Sequence, residues 1–239
     1  MKKVLMVFVF CFCGSLLFAE LSKEQLWAIA LTGIMTERNK CNHNTLESNE
    51  RNAKNKNTWR NVLRRDWGVH NKEELLKTLD TMENDGHAAD LKFTQNIVRD
   101  TLRENASFSI VAMRSQYRLN TQQYNYLKFL LLNRDAFNSR TILAWDLGRN
   151  IALCRWGYDV GFLTEDEAWT KIMYYAKKIQ PLYQSWEEYG FDYYMGRVFW
   201  ASGFGEDMDY LLETDPIYRK LTGVSGYWHN LEWNIDLDD

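Results

Sequence analysis

The sequence predicts an all-α fold, a single irregular multi-helix domain over residues 20–239 that follows an N-terminal signal segment, residues 1–19. Three observations carry this expectation. The 239 residues hold two prolines, Pro181 and Pro216, both late in the chain, so few positions force a helix to break. Helix-opening patterns recur, with Ser, Thr or Asn three residues before Glu or Gln. Sustained apolar–polar alternation, the mark of strands, is not seen in the sequence.

Each element follows from local signals. Lys2 and Lys3 precede an almost wholly apolar run, residues 4–18, and Ala19 stands at a signal-peptidase position. That run is shorter than the roughly 20 residues of a membrane span. A cleaved export signal is expected, with an uncleaved anchor at residues 4–19 as the alternative. Ser22 is placed to cap a first helix over Leu21–Met35, with Leu26, Ile29, Ala30 and Gly33 on one face. Residues 36–57 hold seven asparagines, which predicts a loop or frayed helix that buries little. A helix over Thr58–Trp67 ends at Gly68.

Asn71 and Glu74 pair as a capping box for a helix bearing Leu75, Leu76, Leu79 and Met82, with Gly86 as its stop. Residues 88–104 form another, with Leu91, Ile97, Val98 and Leu102 inward, and residues 107–118 fit either a helix or a short strand. Asn120 with Gln123 opens a helix carrying Tyr124, Leu127, Leu130 and Leu131. The next helix starts at Ser139 or Thr141 and stops at Gly157. Thr164 with Glu167 opens one that Pro181 ends, and Ser185 with Glu188 opens one reaching Ser202. Short helices around 206–213 and 216–221 precede an acidic tail.

Composition excludes several classes. The net charge is −3 with no basic stripe, so nucleic-acid binding is not expected. Loss of residues 1–19 would remove Lys2 and Lys3, lowering the charge by two to −5, and would leave only Cys41 and Cys154. Those two either form one disulfide or stay free, Cys154 buried on an apolar face and Cys41 exposed. The four histidines are scattered, and the HExxH, CxxC and GxSxG motifs are missing, so no metal or other cofactor is implied. Gly203-Phe204-Gly205 is too short for a phosphate loop, and Asn105-Ala106-Ser107 fits the glycosylation triplet.

The densest chemistry lies in an aromatic, charge-spiked block. Five of the ten tryptophans fall between Trp145 and Trp200. Asp146 and Arg149, three apart, share a helix face, and Arg155 follows near that helix's end. This pattern fits a buried Asp–Arg pair packed by Trp145 and Trp156. It also fits an anion or sugar pocket in which Arg149 forks onto a carboxylate or phosphate and tryptophan faces stack. Glu187, Glu188 and Asp192 suit the dipole at a helix start, and paired carboxylates also serve glycoside cleavage. The candidate ligand or structural network is thus Trp145, Asp146, Arg149, Arg155, Trp186, Glu187, Glu188, Arg197 and Trp200. Gly157, Gly161, Gly190 and Gly196 stand beside aromatics, suiting positive φ at helix ends or rings laid on backbone.

At these residues the chain resembles the bacterial DUF1266 family. The resemblance rests on Trp27, Arg65-Asp66-Trp67-Gly68-Val69 and the Leu75 to Gly86-His87 helix. It continues through Ala144-Trp145-Asp146 with Arg149, Gly157-Tyr158 with Gly161, Glu167-Ala168-Trp169 and Ser185-Trp186-Glu187-Glu188. Gly196-Arg197 with Trp200, and Trp233-Asn234, complete it. The chain departs where the family pairs two tryptophans before Gly68, and where Glu232 replaces its closing proline. The resemblance implies a helical fold and supplies no catalytic residues. Two functions remain: an exported or envelope-associated binding protein with a protein or small-molecule partner, or a hydrolase of an envelope glycan using Asp146, Glu187 or Glu188. Membrane contact is expected only through an uncleaved signal.

Overall fold

The computed structural model describes residues 21–104, 109–205 and 209–238. The expected signal segment and the Asn105 triplet lie outside these. Among the described residues the chain is helical, without strands. The helices are α1 (Lys23–Ala30), α2 (Gly33–Asn39), α3 (Ala53–Trp67), α4 (Lys72–Asn84), α5 (His87–Glu104), α6 (Ile110–Gln116), α7 (Thr121–Leu132), α8 (Arg134–Phe137), α9 (Leu143–Val160), α10 (Glu165–Ile179), α11 (Trp186–Ser202) and α12 (Asp209–Thr222).

Local caps set most of the starts. Ser22 with Gln25, Asn120 with Gln123 and Thr164 with Glu167 form reciprocal capping boxes. Asn71 and Ser185 accept from the N–H groups of Glu74 and Glu188. Their partners reach one residue further back than expected, Glu74 to the His70 N–H and Glu188 to the Gln184 N–H. Gly68 and Gly161, at φ 65° and 83°, end α3 and α9 in the left-handed region that favours glycine.

Several boundaries differ from expectation. The first helix breaks at Leu31–Thr32, and α2 begins where Gly33 lies against the Trp228 ring. Gly157 does not stop α9. It sits inside the helix because the Leu75 side chain occupies the space a Cβ would fill. Gly86 is likewise a site of close approach, where a Cβ would meet the Asp146 carboxylate 2.5 Å away, and Asp85 caps α4. Residues 110–116 settle as helix, capped by Ser109. Leu102 faces outward, 41% exposed. Pro216 lies within one continuous α12 rather than opening a second short helix.

At the centre stands α9, in which every residue from Ala144 to Val160 is buried. Helices α3, α4, α5, α10 and α11 pack around it. A helix with no solvent face needs no amphipathic stripe. The crossing of α9 with α11 depends on glycine. At Gly196 a Cβ would fall on the Cβ of Trp145, and at Gly148 on the Tyr189 hydroxyl. The N-terminal half of α11 belongs to the main core with Trp27, Leu63, Ile151, Ile172 and Trp228. Its C-terminal half, through Met195, Val198 and Phe199, joins a second core with Leu91, Met113, Leu127 and Phe137 from α5 to α8.

Trp186 anchors the aromatic part of the main core. Its ring stacks on Trp228 at 5.6 Å and meets Trp27 at 5.1 Å and Trp233 at 4.8 Å. The N–H groups of Trp186, Trp228 and Trp233 donate to the Leu231, Ala30 and Tyr183 carbonyls. These bonds satisfy large rings that are buried. They also tuck in the C-terminal segment, where Trp233, Ile235 and Leu237 are buried in alternation.

The asparagine-rich segment before α3 is not a solvated loop. Leu46 and Ser48 are buried, and the cause is Arg155. Its Nε donates to the Leu46 carbonyl, Nη1 to the Thr32 and Thr36 hydroxyls, and Nη2 to the Asn42, Thr45 and Glu47 carbonyls. One turn on, the Asp159 carboxylate accepts the Ser48 N–H at 3.1 Å. Composition alone hides this, because a buried guanidinium has supplied the partners the loop backbone needs. Cys41 and Cys154 are free. Burial pushes their thiols up to about 11 and about 12, so they are inert at neutral pH.

Two outcomes are expected. Gly196→Ala should cost about 1–3 kcal/mol or more by forcing α9 and α11 apart, read as a lowered midpoint in urea denaturation. An unchanged midpoint would mean the crossing tolerates a methyl. Burial pushes the Asp159 carboxyl up to about 6, against the Ser48 hydrogen bonds and the Arg155 charge. The ordinary carboxyl value is about 3.9, so between about pH 4 and 6 the folded state holds the extra proton. Stability contributed there falls as pH rises, by roughly 3 kcal/mol in all, and is level above pH 6. Asp159→Asn keeps an acceptor for Ser48 and should remove that slope. Denaturation series at several pH values would show it, and equal slopes in both proteins would refute the assignment.

Candidate functional site

A cleft of about 710 Å³ opens between α2, α3, α9, α11 and α12. The local chemistry explains who lines it. The end of α3 brings Arg65, Asp66 and Trp67 to the rim, where Arg65 and Asp66 pair at 2.5 Å and 2.8 Å. One face of α9 gives Trp145, Arg149 and Trp156 at helical spacing. Helix α11 gives Tyr193, Arg197 and Trp200. Met35 and Arg38 of α2 and Ile217 of α12 close the other side, with Met82 and His87 at the floor.

Arg149 is the centre of this arrangement. It is buried, and its guanidinium carbon lies 4.0 Å from the Trp145 ring centre and 5.4 Å from that of Trp67. Such cation–π contacts are strongest when desolvated. Nε donates to the Trp145 carbonyl at 3.0 Å. Nη2 reaches the Asp146 carboxylate at 2.8 Å, the His87 Nδ1 at 2.9 Å and the Met82 sulfur at 3.6 Å. None of these bonds uses Nη1. Burial pulls the Arg149 guanidinium down and the Asp146 charge opposes it, so the cation is held by its counter-ion.

Asp146 lies behind Arg149, away from the cleft. Its second oxygen accepts the Ala88 N–H at 2.7 Å, which satisfies a free donor in the first turn of α5. Burial pushes this carboxyl up, but the Arg149 charge and the Ala88 N–H hold it below the ordinary carboxylate value. The expected Asp–Arg pair is therefore present, and it has two duties: it fixes α5 on α9 and presents Arg149 to the cleft.

The other sequence candidates divide. Trp145, Arg149, Arg197 and Trp200 meet at the cleft, with the Trp145 and Trp200 rings 5.9 Å apart. Arg155 does not join them, being spent on the loop before α3. Trp186 does not join them either, because its ring fills the aromatic core. Glu187 and Glu188 are exposed at the start of α11, where Glu188 caps the helix. Asp146, weighed with them for glycan hydrolysis, is thus buried apart from the two glutamates, which share the exposed start of α11. Sequence reasoning missed the α2 wall, Arg65 and Trp67 of the rim, and His87. Arg65-Asp66-Trp67 stood out only as a motif, and nothing in spacing links it to Trp145. Among the described residues no three His, Cys, Asp or Glu side chains are grouped to hold a metal ion, and no helix is long and apolar enough to cross a membrane.

Asp146→Ala would leave Arg149 without its counter-ion and the Ala88 N–H without its acceptor. A loss of about 3–5 kcal/mol is expected, seen as a melting temperature lower by about 10 °C and faster amide exchange in the first turn of α5. A variant melting within about a degree of the parent would show the pair contributes little.

Comparison with known proteins places this arrangement. The chain is 25% identical over 187 residues to the uncharacterised protein YbeR of Escherichia coli strain K12, covering 70% of this chain and 73% of that one. It is 30% identical over 171 residues to the uncharacterised protein YbeU of the same strain, covering 71% and 70%. No solved structure matches. A family described as "Protein of unknown function (DUF1266)" matches residues 62–233, a span that holds the whole cleft lining except the α2 wall. The chain, α9 and its buried Asp–Arg pair included, belongs to the DUF1266 family.

Proposed function

We propose that this protein is a binding protein whose ligand site is the cleft around Arg149. One observation carries the reading: a cleft of about 710 Å³ gathers two buried arginines, Arg149 and Arg197, among Trp67, Trp145, Trp156, Tyr193 and Trp200. Ligand sites are concave, largely apolar, and carry few well-placed polar groups, with volumes of roughly 300–1,000 Å³. The rings around Arg149 are stiff, and its head is fixed by bonds through Nε and Nη2, so little order is lost when a ligand enters. Lys2, Lys3 and the apolar run behind them support export, which makes a ligand of the cell envelope or its surroundings the natural one.

The test uses the full chain labelled with 5-fluorotryptophan, each resonance assigned by a single Trp→Phe change. Fragments that bind should shift the Trp67, Trp145 or Trp200 signals and leave those of Trp27 and Trp233 in place. Trp200→Leu should weaken those fragments severalfold. Fragment binding that moves only signals outside the cleft, or survives Trp200→Leu unchanged, would remove the cleft as the site.

A further inference from the structure

We infer that a second surface, a groove along the outer face of α3, docks an acidic, extended segment of a partner protein. The groove holds about 430 Å³ and shares no lining residue with the cleft around Arg149.

Charge points to an acidic partner. Helix α3 carries five cations, Lys54, Lys56, Arg60, Arg64 and Arg65, against one carboxylate, Asp66, in a chain of net charge −3. Neutral residues separate most of these cations along the sequence. Winding brings Lys56, Arg60 and Arg64, each one turn from the next, onto a single stripe. Among the described residues none of these three forms an ion pair. The Arg60 side chain donates to the Val160 carbonyl at 3.5 Å, and that of Arg64 to the Asn61 amide oxygen at 3.4 Å. The Lys56 ammonium lies beside Gly161. Among the described residues no carboxylate lines the groove.

The stability of α3 does not account for this pattern. Like charges at i and i+4 destabilise a helix, and two such pairs stand in succession here. The first turn holds Lys54 and no acidic residue, which opposes the helix dipole. Arg64 alone of the stripe sits where the dipole favours a cation. Breaches of local rules are expected at functional surfaces.

Geometry favours a peptide among the polyanions. The three cations are about 6 Å apart along the helix axis. Alternate residues of an extended chain lie about 6.6 Å apart on one side, so carboxylates at every second position meet them in turn. A guanidinium fork takes a carboxylate through two bonds. Asn57 lines the same groove, and its amide both donates and accepts, as a peptide backbone does. A phosphodiester backbone only accepts and would leave the amide oxygen unused. Buried Val69 and half-buried Phe162 also line the groove. A flat headgroup layer would leave them uncovered, whereas a narrow chain reaches them.

Nuclear magnetic resonance titration of the ¹⁵N-labelled full chain tests this with two short capped peptides. One alternates aspartate with valine, and the other has asparagine at each aspartate. The aspartate peptide should shift the amides of α3 and Phe162 and bind at least tenfold tighter than its neutral counterpart. Arg60→Gln combined with Arg64→Gln should lower that affinity at least tenfold. Because it relieves like-charge repulsion, the double variant should melt no lower than the parent. If it does melt early, Lys56→Gln should still lower the affinity severalfold in a stably folded chain. Equal binding of the asparagine peptide, an affinity these changes leave untouched, or shifts confined to residues outside the groove would overturn the inference. So would tighter binding of oligothymidylate or of phosphatidylglycerol vesicles to the same stripe. The absence of any shift would also overturn it and would leave the cleft reading standing, since the Trp67, Trp145 and Trp200 signals report that site separately.

Discussion

Everything in this molecule is arranged around a helix that has no solvent face. Helix α9 is buried on all sides, yet it carries Asp146, Arg149, Asn150, Arg155 and Asp159. Charge and amide groups in such a place are tolerated only when they are paired or hydrogen-bonded. Their partners lie on three neighbours: α5, α4 and the loop before α3. Asp146 takes an N–H of α5, Asn150 donates to the Leu79 carbonyl of α4, Arg155 gathers three carbonyls and a fourth from the loop before α3, and Asp159 takes the Ser48 N–H. The polar groups of the central helix are thus the attachment points of the periphery. An apolar α9 would pack as tightly but would not specify which element goes where, a role buried polar groups fill in some proteins.

What was readable in the sequence is what is local. Ser22, Asn120 and Thr164 announce their helices because a capping box is closed within four residues. The Asp146–Arg149 pair was readable for the same reason, being one turn of one helix. Gly157 misled because a glycine at a helix end and a glycine under a neighbour's side chain look alike in sequence; only the position of Leu75 distinguishes them. Residues 36–57 misled because their backbone partner, Arg155, is more than a hundred positions away. Trp186 was grouped with Trp145 by proximity in sequence. The antiparallel run of α9 and α11 instead sends Trp145 toward Gly196 and leaves Trp186 beside Trp27 and Trp228.

The cleft is legible only in part for a related reason. Its α9 and α11 walls come from the aromatic block, so Trp145, Arg149, Arg197 and Trp200 stood out. Its other walls come from the end of α3 and from α2, which meet the block only through the fold. The α2 wall is also the part outside the family match. Arg149 and the Asp146 behind it lie within the span matched by the family, while Met35 and Arg38 lie before it.

The tucked C-terminal segment has a consequence for the order of assembly. Trp228 and Trp233 complete the aromatic cluster on Trp27 and Trp186, and Trp228 also covers Gly33 and Gly190. A nascent chain that has finished α11 has already made α1, yet the rings that seal α1 against α11 are still inside the ribosome. Until that segment emerges, the Ala30 carbonyl lacks the Trp228 N–H, the Trp186 N–H lacks the Leu231 carbonyl, and the face of Trp186 is uncovered. Closure of the main core therefore waits for the segment that follows α11 and α12, and the growing chain carries an open aromatic face from the emergence of Trp186 until Trp228 and Trp233 follow.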